Sequence, residues 1–157
     1  MKKKRVVIIS LLLLLVSVIG ISSYFLFKDK INLLDVDHSA VDWNGKKQKD
    51  TSGEENTIVI PGFEKVTLYA NETKQAVNFH NPEINDCYFK ISLIHPDGSV
   101  LWISDLIEPG KGMYSIELEK TLAVGEYENA VLKYECFSLN DQSPLNGSEI
   151  NLKLVVV

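Results

Sequence analysis

The stretch Ile91–Ser104, ISLIHPDGSVLWIS, decides the fold. Two short apolar runs flank His95-Pro96-Asp97-Gly98, where proline presets φ for a turn and glycine accepts the positive φ that closes it. The segment therefore reads as a β-hairpin. From Thr57 onward no amphipathic helical period longer than a turn competes with that reading.

Working outward, β-rich runs separated by turn residues place strands near 57–60, 63–70, 75–79, 87–94, 99–104, 113–119, 126–138 and 149–157. Val66, Leu68 and Ala70 share one face of their run while Lys65, Thr67 and Tyr69 share the other. Ile150, Leu152, Leu154 and Val156 alternate with Asn151 and Lys153 in the same way. A second turn, Glu108-Pro109-Gly110-Lys111-Gly112, divides the next pair of runs. The expected class is all-β: a single seven- to eight-stranded antiparallel β-sandwich of immunoglobulin-like kind over residues 57–157. Leu122, Gly125 and Tyr127 have the spacing of a tyrosine corner, in which the phenol hydroxyl bonds back to the chain; they are read as architecture.

Upstream, Val6 to Phe27 is 22 residues without a charge, about 33 Å as a helix, which matches the hydrocarbon thickness of a bilayer. It reads as a transmembrane signal-anchor; a cleaved signal peptide is the other reading, with Gly20-Ile21-Ser22 only a weak cleavage signature. Lys2, Lys3, Lys4 and Arg5 form a basic leader over residues 1–5, which places the N-terminus in the cytoplasm and the rest of the chain outside. Residues 28–56 are poor in aliphatics and rich in charge and turn pairs, and read as a flexible linker able to cross tens of ångströms of cell wall. Trp43 stands alone in it and is expected to dock on the neighbouring domain.

Beyond the helix the chain carries 12 of its 16 Lys and Arg and all 21 Asp and Glu, a net charge of −9. Such a surface is repelled by nucleic acid, and no nucleic-acid partner is expected. Both cysteines, Cys87 and Cys136, fall on the exterior side, where oxidation is permitted. Cys87 shares a strand face with Phe89, Ile91 and Leu93, and Cys136 with Leu132 and Tyr134. They form a candidate disulfide closing 49 residues, worth about 4 kcal/mol in the chain-entropy model; two buried free thiols are the alternative.

Motifs that carry chemistry are weak. Cys87, Trp102 and Tyr134-Glu135-Cys136 imitate an immunoglobulin pattern, but the cysteine interval is short and the corner tyrosine is Tyr127. Asp35-Val36-Asp37-His38-Ser39 begins like a calcium loop, yet Ala40 and Lys46 stand where glycine and glutamate are needed. Asn81-Pro82-Glu83-Ile84-Asn85-Asp86 is oxygen-rich, but Asx residues beside proline are ordinary turn formers. His38, His80 and His95 lack metal-ligand spacing; His80 is expected to point outward at a strand end and His95 to belong to the hairpin turn. With no nucleophile motif or phosphate loop, no catalytic, cofactor-binding or metal residue is assigned.

The segments IVIPGFEKVTLYANETKQAVNFHNPEINDCYFKISL, LIEPGKGMYSIEL and GEYENAVLKYECFSLNDQSPLNGSEI resemble a family of small membrane-anchored proteins of Gram-positive bacteria, often met on mobile genetic elements. Its members often carry the label tRNA (uracil-5-)-methyltransferase. That label conflicts with the residues, because such an enzyme needs an α/β cofactor domain, a nucleophilic cysteine with a nearby base and a basic RNA surface. The resemblance brings no established activity. The expected role is a non-enzymatic, membrane-tethered extracytoplasmic module that presents an edge strand or loops to another envelope protein, as an accessory to a surface or DNA-transfer apparatus. The alternative is a glycan- or solute-sensing domain using loop residues near Trp102, His80 and Asn81, although Trp102 shares the face of Val100 and is expected to be buried.

Overall fold

A computed structural model describes residues 33–45 and 57–157; the basic leader and the anchor expected over 6–27 lie outside the described residues. The strands are β1 (Val41–Asp42), β2 (Lys65–Leu68), β3 (Lys74–His80), β4 (Cys87–Ile94), β5 (Val100–Ile103), β6 (Lys111–Glu117), β7 (Gly125–Ser138) and β8 (Pro144–Val156). They form a three-stranded sheet in the order β1-β6-β3 and a five-stranded sheet in the order β2-β8-β7-β4-β5.

The quoted hairpin is β4–β5, with Leu93 opposite Trp102 and Ser92 opposite Ile103. Gly98 takes the positive φ of 85° that its turn requires, and its N–H donates to the His95 carbonyl at 2.8 Å. Asp97 steadies the same turn by accepting from the Ser99 N–H and hydroxyl, at 2.8 and 2.6 Å. These bonds and His95 beside it hold the Asp97 carboxyl below the usual carboxylate range.

One core joins the two sheets. Phe89, Ile91 and Leu93 of β4 pack with Leu132 and Tyr134 of β7 and with Leu152, Leu154 and Val156 of β8, while Phe79, Met113 and Ile116 come from the smaller sheet. Phe79 spans the gap, tilted against Trp102 at 5.8 Å and edge-on to Phe63 at 5.5 Å.

Three features depart from the sequence reading. The arrangement is not wholly antiparallel: β2 runs parallel to β8, from Lys65 opposite Lys153 to Leu68 opposite Val156. Residues 57–60 form no strand. Their alternation arises because Ile58 and Ile60, with Phe63, press onto the core from a connecting segment, where Asn85 grips Val59 through both its N–H and its carbonyl. Residues 34–45, read as part of the linker, are instead packed on the domain, where Val41 and Asp42 pair with Gly112 and Lys111 of β6.

Candidate interaction surface

Residues 34–45 form a strap held along its length. Leu34 exchanges two hydrogen bonds with the Gln142 amide, at 2.6 and 3.0 Å, in the turn between β7 and β8. Asp35 and Asp37 then bond through their backbones to Leu106, at 2.9 and 2.8 Å. Beyond β1, Trp43 lies flat on His80, ring centroids 3.7 Å apart and planes within 8°, and its Nε1–H donates to Asn78 Oδ1 at 2.7 Å. Asn44 continues the contact through the Tyr114 hydroxyl.

Glycine makes room for this stack. A Cβ at Gly112 would meet the Trp43 ring, the Phe79 carbonyl and the His80 Cβ at 3.0 Å or less, so any side chain there would lift the strap. Trp43 thus docks on the domain, while the outward His80 of the sequence reading needs correction. Its alternation with Phe79 does turn it away from the core, but Trp43 covers it and leaves it 3% exposed. His80 Nδ1 has no hydrogen-bond partner, and burial pushes the imidazole pKa down, partly offset by the Asn78 backbone.

A pH dependence follows. The freed imidazole takes up a proton near its ordinary value while the covered one resists, so protons favour the uncovered state and stability falls as pH drops through and below about 6.5. Urea unfolding between pH 7.5 and 5 should show this slope in the wild type and lose it in His80→Gln. Equal slopes would place the titration elsewhere.

The other sequence-marked residues are structural. Asn81 is fully buried and donates through Nδ2 to the carbonyls of Cys87 and Ile107, at 2.8 and 2.9 Å. Trp102 is 7% exposed and part of the core. With His80 also covered, the residues nominated for glycan stacking offer no open aromatic face. The Tyr127 hydroxyl donates to the Ala123 carbonyl at 2.9 Å; Leu122 is buried, and Gly125 lies beside the phenol ring. In the oxygen-rich loop, Asn85 Nδ2 donates to Asn81 Oδ1, and in the strap Asp37 accepts from Ser39, so both groups serve turns. Among the described residues no cluster of three or more His, Cys, Asp or Glu is placed to hold a metal ion.

Cys87 and Cys136 are free and buried. Cys136 lies opposite Phe89 and Cys87 opposite Ser138, so the two thiols are diagonal neighbours on one face. The neighbouring Cys87 and burial push the Cys136 thiol up, which keeps it protonated.

The feature that spacing did not reveal is the flank of β8. Strand β2 covers only Lys153–Val156, and among the described residues no strand pairs with 144–152 on the side away from β7. Here the β7–β8 register shifts between Tyr134 and Cys136, and Gly147 passes so close to the Tyr134 carbonyl that a Cβ would run into it. A groove of about 330 Å³ opens at this point between residues 133–137 and 144–149. The signal in the sequence was the glycine at 147 in an otherwise polar, weakly patterned run. A comparison of the chain with protein-family models, curated proteins and solved structures found no match.

Proposed function

We propose that this chain is a non-enzymatic, membrane-tethered extracytoplasmic β-sandwich that binds another envelope protein by strand addition at β8. The observation that carries the reading is the flank of residues 144–152 with which, among the described residues, no strand pairs on the side away from β7: a row of main-chain donors and acceptors. Main-chain hydrogen bonds would supply affinity there. Exposed Pro144 and Glu149 on the same flank discourage indiscriminate pairing, which suits a selective contact. The tether comes from the uncharged run 6–27, and the exterior placement from the basic leader before it. The small membrane-anchored proteins of Gram-positive bacteria that the sequence resembles are the family to which we assign it, and service to a surface or DNA-transfer apparatus is the setting.

Site-specific photo-cross-linking in native membranes tests this. Benzoylphenylalanine at Asn146 or Asn151, both exposed on the free flank, should capture a discrete protein adduct; the same group at exposed Lys74 on β3 should not. Equal adducts at all three positions, or none at Asn146 and Asn151, would sink strand addition as the mode of binding.

A further inference from the structure

We infer that the strand added at β8 is basic: a segment of alternating apolar and Lys or Arg residues whose outward cations meet Glu149. The inference rests on strand addition at this flank and names the chemistry of the partner.

The direction of the main chain comes first. The Lys153 N–H turns away from β7 and donates to the Glu64 carbonyl at 3.0 Å. From Ser148 to Leu152 the pairing with β7 has no shift, and at the next shift, toward Leu154, the extra residue is on β7. Asn151 and Glu149 therefore alternate in step with Lys153 and turn their N–H and C=O groups to the same open side. Their side chains share the outer face with Lys153, whereas Leu152 belongs to the core and Ile150 packs against it. An added strand alternates in the same way. Its inward side chains lie beside Ile150 and are apolar, and its outward ones lie beside Glu149 and Asn151.

Charge on the outer face selects the outward residues. Lys133 stands directly across from Glu149, yet its ammonium pairs with Glu135 at 3.3 Å. Lys153 is held by Glu126 and Glu128. Among the described residues Glu149 is in no ion pair, so its exposed carboxylate stands on the open flank without a cation. Residues 57–157 carry 7 Lys and 14 Asp and Glu, a net charge of −7, and this wider field also draws a cationic segment. A second copy of the domain fits badly, because two such charges repel. A strand with Asp or Glu beside Glu149 is disfavoured for the same reason.

The test titrates the full chain in detergent micelles with a labelled peptide of about ten residues alternating valine and lysine, read by fluorescence anisotropy against protein-free micelles. Its counterparts carry serine or glutamate in place of lysine, and a fourth peptide keeps the lysines but has every backbone nitrogen methylated. The lysine peptide should bind about tenfold more tightly than the serine peptide, and the glutamate and methylated peptides more weakly than either. Glu149→Gln should weaken the lysine peptide about threefold, while Glu119→Gln, beside β5 at the opposite edge of the sheet, should leave it unchanged. Equal binding of the lysine and serine peptides, with methylation abolishing it, overturns the basic partner and leaves strand addition standing. Equal losses in Glu149→Gln and Glu119→Gln, or none in either, overturn the role of Glu149. A methylated peptide that binds as tightly as its parent, or no binding by any peptide, overturns strand addition and the basic partner with it.

Discussion

Replacing Phe79 with alanine is expected to cost about 3–5 kcal/mol, read as a lower urea midpoint at unchanged slope. Phe79 is fully buried and is the side chain through which the three-stranded sheet meets both Trp102 of β5 and Phe63 of the segment before β2. Its loss leaves a cavity between two sheets, each stiffened by its own hydrogen bonds, so collapse around the hole is limited and the cost falls toward the upper end. A loss below about 1 kcal/mol would mean that the small sheet is not coupled to the large one through this ring.

Asn81→Leu should cost about 3 kcal/mol although the two side chains have the same number of heavy atoms and the same branching. The Asn81 amide gives donors to the Cys87 and Ile107 carbonyls and accepts from Asn85, which in turn holds Val59. Leucine offers none of these, and the polar groups left behind are buried, so each forfeits a bond without gaining water. Amide hydrogen exchange separates this from a simple packing defect: exchange at Val59 should rise because Asn85 loses its positioning partner. Protection at Val59 equal to the wild type would show that Asn85 needs no support from Asn81.

Where side chains alternate and turns have their own chemistry, the chain was legible. Strand β4 begins and ends at the residues expected, and the β4–β5 turn rests on Pro96 and Gly98 as read. Legibility failed where structure is set by partners distant in sequence. Nothing in Lys65–Leu68 announces that β2 would lie parallel to β8, since strand pairing is decided by the closing of the whole sheet. The strap was misread because its one strand, β1, is only two residues long and its other attachments are made by isolated residues such as Leu34, Trp43 and Asn44, within a polar run that has no period to detect. Its one aromatic did point to docking, but nothing named His80 as the surface beneath. The β8 flank was hidden for a similar reason: whether an edge is paired is a property of the sheet.

The strap also changes what the covalent chain is needed for. Residues 34–44 are fastened to the body by main-chain pairing, an amide clasp and a stacked ring, and the described residues resume at 57. A peptide bond cut anywhere in 46–56 would thus sever the backbone without parting the two pieces, as in a protein reassembled from fragments. Residues 34–45 would then be held to the domain by adhesion alone, and the two pieces would part only when the pairing, the clasp and the Trp43 stack had all let go.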